Sequence, residues 1–160
     1  MPATLEAMPE LREIPVDDPV AQNLLADYFA MRREAFPGGT YTTAFPASGT
    51  FDAPGAFLVA YDGATAVGCG GIRPIAEGPR GPRFEVKHLY LSPVTRGRGW
   101  GRLLLEELVR HARDAGAAEV VLDTHHSLEA AAGLYAGAGF APIPPYNDNP
   151  NATRWYGLRL

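Results

Sequence analysis

Cysteine and long apolar runs are both scarce in this sequence. Its 160 residues include one cysteine, Cys69, so no disulfide can form within the chain, and the reducing cytoplasm is the expected compartment. No apolar run approaches the roughly 18 residues that a membrane span needs. The first residues also lack the basic and then apolar order of a signal peptide. The sequence therefore predicts a cytoplasmic protein with no membrane contact.

An excess of basic charge is missing as well. There are 14 Lys and Arg residues against 18 Asp and Glu residues, a formal net charge of -4, which argues against a nucleic-acid partner and suits a cationic substrate. The hydrophobic content of 46% is ordinary for a globular chain. The length is enough for one core, and no internal repeat marks a second unit. We therefore expect a single domain over residues 1–160.

The most informative stretch is a strand, a glycine loop and a helix in succession. Residues 84–91 alternate between two faces, as in a strand, and Pro93 ends the alternation. Three glycines follow, at positions 97, 99 and 101. Apolar residues then recur at helical spacing, which predicts a helix packed on a sheet; they are Leu104, Leu105, Leu108, Val109 and Ala112.

This loop has the properties of a phosphate cradle. Its glycines allow close approach to the free N–H groups at a helix N-terminus, and Arg96, Arg98 and Arg102 add positive charge. A Walker A loop is excluded, because no Gly-Lys-Ser/Thr follows. A dinucleotide fingerprint would need its third glycine one residue later, although Asp123 ends a later strand at a suitable distance for a ribose.

Elsewhere the pattern alternates strands with helices. A helix begins after Asp17 or Asp18 with Pro19 in its first turn, and Asp62-Gly63 is a hairpin turn signal. Periodicity alone supports an α/β chain whose mixed sheet has helices on both faces. The strands are predicted at Leu11–Val16, Ala56–Tyr61, Thr65–Ile75, Phe84–Leu91, Glu119–Asp123, Phe140–Ile143 and Arg154–Leu160.

Arg-Gly-x-Gly-x-Gly after an extended strand resembles the acyl-CoA-binding motif of the GCN5-related N-acetyltransferase (GNAT) superfamily. Leu134-Tyr135-Ala136-Gly137-Ala138-Gly139-Phe140 is similar to that family's Leu-Tyr-x-x-x-Gly-Phe signature. The resemblance is most diagnostic over residues 56–140. It implies a GNAT-like fold, with a seven-stranded, mostly antiparallel mixed sheet splayed between its fourth and fifth strands. The acyl-CoA would lie in the wedge.

The reaction implied by the resemblance is acetyl transfer from acetyl-CoA to a small-molecule amine, by direct attack in a ternary complex and without a metal. The backbone of Leu89, Tyr90 and Leu91 would line the acetyl-pantetheine arm and supply an oxyanion donor. Tyr135 would be the general acid, or else a core tyrosine beside Phe140. The pyrophosphate would be held by the loop residues Arg96, Gly97, Arg98, Gly99, Trp100, Gly101 and Arg102.

The general base stays open at this stage. Glu85 shares a predicted strand face with Lys87 and Leu89, so it is either a base with a raised pKa or a strand residue paired with Lys87 or an arginine. His88 falls on the opposite predicted face of the strand, and we expect it to have a structural role. The remaining candidates are water and the residues that end the fifth strand, Asp123, His125 and His126. As a metal set these three lack a distant ligand.

Two loops are candidates for the acceptor site. The segment from Phe36 to Pro54 carries Tyr41 and Phe45, which either contact the substrate or pack the loop onto the body. The loop before the last strand carries Tyr146 and Asn147. A homodimer, frequent in the family, would be formed through the final strand.

One position departs from the family's pattern. Leu128 stands where many members have an asparagine that hydrogen-bonds the pantetheine, so this bond must come from elsewhere, such as Thr124 or Ser127.

Three functions remain in order of preference. The first is an acetyl-CoA-dependent N-acetyltransferase. The second is a non-catalytic acyl-CoA-binding module that keeps the cradle but has no competent base. The third is a dinucleotide-binding oxidoreductase that uses Gly97–Gly101 and Asp123. The acceptor, the acyl group and the oligomeric state are not identified by the sequence.

Overall fold

A computed structural model describes residues 8–160 of the chain; the first seven residues, which entered the signal-peptide argument, lie outside it. A seven-stranded mixed sheet carries three helices, which confirms the predicted fold class. In chain order the elements are β1 (Glu10–Glu13), α1 (Pro19–Ala35), β2 (Ala56–Asp62), β3 (Thr65–Gly78), β4 (Gly81–Leu91), a 3-10 turn (Pro93–Thr95), α2 (Trp100–Asp114), β5 (Glu119–Thr124), α3 (Glu129–Gly137), β6 (Ala141–Pro142) and β7 (Arg154–Arg159).

The sheet order is β1-β2-β3-β4-β5-β7-β6, and only the β4–β5 pair is parallel. That pair is short. β4 residues 83–85 pair with β5 residues 119–121, yet β4 continues to Leu91 and β5 to Thr124. The two strands therefore diverge beyond Glu85, as the family resemblance implies, and leave a wedge between them.

Helices cover both faces of the sheet, as predicted. α1 packs Leu25 and Phe29 against Phe57 of β2 on one face, whereas α2 packs Leu104 and Leu108 on the other, together with Tyr135 of α3. The start of α1 confirms the predicted cap: the Asp18 carboxylate accepts a hydrogen bond of 2.9 Å from the Val20 N–H, and Pro19 follows it.

The predicted alternation along β4 is wrong at one point, because the strand contains a bulge. Cys69 of β3 pairs with Tyr90 and Gly71 pairs with Lys87, so two β4 residues lie opposite one β3 residue. His88 has a positive φ of 57°. Its ring therefore lies on the same face as Lys87, against α1, where the sequence predicted the opposite face. Leu89 correspondingly turns towards α2, away from the face predicted for it.

The other predicted elements are found with shifted ends. The segment from Phe36 to Pro54 contains turns but no helix or strand, as expected. The final strand, β7, lies between β5 and β6, and β6 pairs with it only at Gly157 and Tyr156. Within residues 8–160, no helix has both the length and the apolar character of a membrane span.

Candidate active site

A cleft of about 1350 Å³ opens where β4 and β5 diverge. The cleft is lined by α1 and the loop after it, by the second half of β4, and by the glycine loop with the start of α3. Of the predicted site residues, the cleft is lined by Tyr41, Phe45, Leu89, Tyr90, Leu91, Arg96, Gly97, Gly99, Trp100, Gly101, Arg102, Asp123 and Tyr135. The structure therefore brings most of the predicted site together.

The glycine loop has the geometry of an anion cradle. Gly97 and Gly99 have φ values of 79° and 74°, in the left-handed region that favours glycine. Gly99 is the N-cap of α2 and has no side chain to bond the first N–H groups of the helix. A Cβ at Gly97 or Gly99 would meet nothing within 4 Å. The loop thus combines open space beside its glycines with helix N–H groups that lack a side-chain acceptor, which fits a pyrophosphate.

The arginines of the loop do not all face the cleft. Arg96 and Arg102 line it, and Arg102 also pairs with Glu106 at 2.9 Å. Arg98 does not line it: its guanidinium lies 3.1 Å from the Asp62 carboxylate and over the Trp100 ring, at 5.0 Å.

The Trp100 side chain, which was predicted to help hold the pyrophosphate, packs into the body of the protein instead. It is 3% exposed and packs with Ala60 and Val67. Arg98 and Trp100 therefore anchor the loop to the body, while their backbone leads into α2.

β4 presents an edge without a strand partner. Its pairing with β5 ends at Glu85, so the backbone groups of Lys87–Leu91 that face β5 have no ladder partner among the described strands. The segment Leu89–Leu91 lines the cleft. Unpaired strand edges bind extended segments by backbone hydrogen bonds. This edge runs from Lys87 along β4 towards the glycine loop.

Tyr135 is packed among core aromatic rings and also lines the cleft. Its ring is 7% exposed and lies 6.1 Å from that of Phe140 and 5.9 Å from that of Tyr156. It nevertheless lines the cleft, and the described residues offer its hydroxyl no hydrogen bond. Burial raises the pKa of the Tyr135 phenol well above its usual range. The group therefore keeps its proton at neutral pH.

Glu85 is 2% exposed and belongs to a buried network beneath the cleft. Its carboxylate accepts bonds from Arg73 Nε at 3.0 Å and Nη2 at 2.9 Å, and from the Tyr146 hydroxyl at 2.7 Å. Lys87 Nζ lies 3.6 Å away. These contacts match the second alternative for Glu85, pairing with Lys87 or an arginine. Neither Glu85 nor Tyr146 lines the cleft.

Asp123 is the second anion of this network. It accepts bonds from Lys87 Nζ at 2.9 Å, Asn147 Nδ2 at 2.6 Å and Asn149 Nδ2 at 3.1 Å. Burial raises the pKa of Asp123, but the Lys87 charge and these hydrogen bonds outweigh it and hold the pKa below its usual value. Asn147 is thus tied to Asp123 and does not line the cleft.

Three of the four histidines, those considered for the site, occupy different environments. His88 lines the cleft among the rings of α1, and burial followed by the charges of Lys87 and Arg73 lowers its pKa to about 3. His125 Nδ1 lies 2.7 Å from Ser127 Oγ, and its pKa is lowered mainly by burial. His126 bonds Thr153. Neither His125 nor His126 lines the cleft.

Several cleft residues were missed by sequence reasoning. Arg32 of α1 and Arg73 of β3 both line the cleft, as does the exposed carboxylate of Asp27. Arg32 had a usable signal, because it lies seven residues after Leu25 and four after Tyr28, on the same buried face of the helix. Arg73 had none, because its partner Glu85 is on another strand. Thr124 and Ser127, the predicted substitutes for the missing asparagine, do line the cleft.

Comparison with known proteins agrees with this geometry. The sequence matches the Acetyltransferase (GNAT) family model over residues 18–140. It is 40% identical over 97 residues to an IAA acetyltransferase of Azospirillum brasilense, covering 59% of this chain and 61% of that one. It is 36% identical over 91 residues to N-acetyltransferase 8B of Rattus norvegicus, covering 56% and 41%. The chain thus spans about 40 to 60% of the length of these curated relatives.

Solved structures share the fold over nearly the whole chain. An acetyltransferase from Streptococcus agalactiae has a TM-score of 0.77 at 21% identity, covering 95% of this chain and 98% of that one. A Salmonella typhimurium protein described as a putative acetyltransferase with its cofactor acetyl-CoA has a TM-score of 0.64 at 15% identity, covering 96% and 94%. With the family match extending from α1 to the end of the Leu-Tyr-x-x-x-Gly-Phe signature, this chain belongs to the GNAT family.

Proposed function

We propose that this protein binds acetyl-CoA in the cleft and transfers the acetyl group to the amine of a small molecule. The observation that carries this proposal is the unpaired edge of Leu89–Leu91 leading to the free N–H groups of the glycine loop. An extended amide-bearing arm can bond the edge while its pyrophosphate meets the helix N-terminus. The names of the N-acetyltransferase relatives, and the neighbour described with acetyl-CoA, support it.

In this reaction the amine nitrogen attacks the thioester carbonyl carbon, the C–S bond breaks, and the sulfur takes one proton and leaves as the thiol. The nitrogen loses one proton before the attack and a second as the amide forms, and the second proton restores the acid that protonated the sulfur. In our proposal, a β4 N–H within Leu89–Leu91 bonds the carbonyl oxygen as negative charge develops on it. Tyr135, whose free hydroxyl lines the cleft, donates the proton to the leaving sulfur. Its raised pKa keeps the proton in place until the thiolate forms.

Water in the cleft removes the proton from the attacking ammonium in our proposal. Glu85 is engaged by Arg73 and Tyr146, and Asp123 has a lowered pKa. We therefore assign to both carboxylates the task of holding Lys87 and Arg73 in position. Tyr41 and Phe45 contact the acceptor directly, whereas Tyr146 and Asn147 act through these carboxylates.

The test is thiol release from acetyl-CoA in the presence of an amine panel. Tyr135→Phe should lower kcat by about 100-fold, in the range of general acid catalysis, and leave the Kd of acetyl-CoA nearly unchanged. Tyr156→Phe is the matched control. The Tyr156 ring is buried with its centre 5.9 Å from that of the Tyr135 ring, but Tyr156 does not line the cleft. Equal turnover in Tyr135→Phe and the parent protein would remove the assigned role.

A second candidate, acyl-CoA binding without transfer, is favoured by the engaged state of Glu85 and Asp123. It predicts that acetyl-CoA binds while no amine in the panel is acetylated. The dinucleotide alternative is disfavoured, because Lys87, Asn147 and Asn149 already occupy the Asp123 carboxylate that would bind a ribose.

A further inference from the structure

Arg32 is a buried cation at the acceptor end of the cleft. Its side chain is 7% exposed and lines the cavity from α1. Nη1 donates a hydrogen bond of 3.1 Å to the Tyr28 hydroxyl, and Nη2 donates one of 3.1 Å to the backbone oxygen of Asn151. Both acceptors are neutral. Arginine has five N–H donors, so these two bonds leave donors for a ligand.

The neighbouring cations are each matched by an anion, but Arg32 is not. Arg73 pairs with Glu85 at 2.9 Å, and Lys87 pairs with Asp123 at 2.9 Å. Over residues 8–160, no carboxylate oxygen lies within 4.0 Å of the Arg32 guanidinium nitrogens. Buried charges are ordinarily paired, because an isolated ion loses its hydration without compensation. Of these three cations, Arg32 is therefore the one without a carboxylate at salt-bridge distance.

The surface around Arg32 is apolar and aromatic. The Arg32 Cζ atom lies 5.3 Å from the centre of the Tyr41 ring, and the Phe29 ring lies 4.9 Å from that of Phe45. Phe45 is 46% exposed although it is a large apolar residue. A lone guanidinium beside an exposed aromatic wall suits a ligand that carries both a carboxylate and an apolar body.

Two exposed carboxylates complete the charge pattern. Asp27 and Glu34 belong to α1 and line the same cleft, and both are exposed to solvent. They are suited to attracting an ammonium group before it loses its proton. The cleft can thus attract a cation through the exposed carboxylates of Asp27 and Glu34, and an anion through the buried guanidinium of Arg32.

We propose that the acceptor is an amine that also carries a carboxylate, of the amino-acid class with an apolar side chain, and that Arg32 binds the carboxylate. This inference rests on the proposed function and names the substrate class of that same site. The unused guanidinium donors bind the carboxylate, the aromatic wall packs on the side chain, and the amine is left to attack the thioester.

The experiment compares matched acceptors that differ only in the carboxylate. Phenylalanine, leucine and methionine are each assayed against their own amides, at equal concentrations of free amine, by thiol release from acetyl-CoA. At least one acid should exceed its amide in kcat/KM by about 10- to 100-fold, the usual worth of a hydrogen bond between charged groups. Arg32→Gln should bring that ratio close to one.

Arg33→Gln is the matched control. It removes an adjacent arginine that is exposed and bonded to Thr43, and it should keep the acid-to-amide ratio of the parent protein. Arg32→Lys retains the charge without the planar fork, so it should keep part of the preference if Arg32→Gln fails to fold. Equal ratios in the parent protein, Arg32→Gln and Arg33→Gln, or no preference for any acid, would overturn the inference.

A binding measurement separates this inference from the proposed function. The N-acetyl acids and N-acetyl amides are titrated into the protein with CoA, and thermal unfolding reports binding without turnover. If an N-acetyl acid binds in an Arg32-dependent way but no amine is acetylated in the thiol-release assay, the carboxylate site assigned to Arg32 is supported and the proposed function is contradicted. Acetylation of amines without a carboxylate preference would do the reverse.

Discussion

His88 gives a sharp test of the packing beneath the cleft. It lies on the β4 bulge with a positive φ, its ring contacts those of Tyr28, Phe29 and Phe51, and its Nδ1 is buried without a hydrogen bond from any described residue. The test is His88→Asn. Asparagine tolerates the left-handed conformation that the bulge requires, and it cannot titrate.

The size and sign of the effect follow from the pKa of His88. Burial, assisted by the charges of Lys87 and Arg73, lowers this pKa from 6.5 to about 3 in the folded chain. Between these values the unfolded chain binds a proton that the folded chain does not, so stability falls as the pH falls. At 1.36 kcal/mol per pH unit, the loss between pH 8 and pH 5 is about 2 kcal/mol. For a chain of this size that is roughly 4–8 °C in Tm.

The assay is urea unfolding at several pH values from 5 to 8. Removing the ring lowers stability at every pH because aromatic packing is lost, so the slope with pH is the informative quantity. We expect the unfolding free energy of His88→Asn to rise less steeply with pH than that of the parent protein. Near pH 5.5 the two slopes should differ by up to the value for one bound proton, about 1.36 kcal/mol per pH unit. Identical slopes for the parent protein and His88→Asn would refute a neutral, buried His88.

Two further variants test the buried network and the glycine loop. Glu85→Gln keeps the shape of the side chain but removes the negative charge that faces Arg73 and Lys87, so urea unfolding should show a stability loss of about 1–3 kcal/mol. The kcat of the folded variant should stay within a few-fold of the parent value. A 100-fold fall in kcat at unchanged stability would instead make Glu85 the base. Gly99→Val places a branched side chain at φ 74° and against the cradle, so the Kd of CoA should rise at least tenfold. Gly116→Val is the control, because it introduces a similar backbone strain at φ 89°, beyond the C-terminal end of α2. If CoA binding weakened equally in both variants, the glycine loop would not be the CoA cradle.

The regular elements were predictable because their signals are local. The strand pattern, the Asp18 cap, the hairpin at Asp62-Gly63 and the glycine loop before α2 each depend on residues close together in the sequence. The divergence of β4 and β5 depends on distant residues. It was expected because the motifs resemble those of a family, and periodicity alone did not indicate it.

The bulge at His88 and the contacts of the acceptor site were beyond local reasoning. A bulge inserts one residue without a composition signal, and it reversed the predicted faces of His88 and Leu89. The partners of Glu85 come from β3 and from the loop before β7, 12 and 61 residues away. Whether a carboxylate is a free base or half of a buried pair is decided by such distant contacts, so the sequence left both alternatives open.

The most direct test of the account is ligand-dependent thermal unfolding of the parent protein. CoA, acetyl-CoA, NAD and NADP are compared in parallel, each at 100 times its expected Kd. A ligand that binds only the folded chain at this excess adds about 2.7 kcal/mol. The account predicts that CoA and acetyl-CoA each raise Tm by roughly 5–10 °C and that the dinucleotides do not. No shift with either CoA ligand, or a shift with the dinucleotides alone, would contradict acyl-CoA binding at the glycine loop.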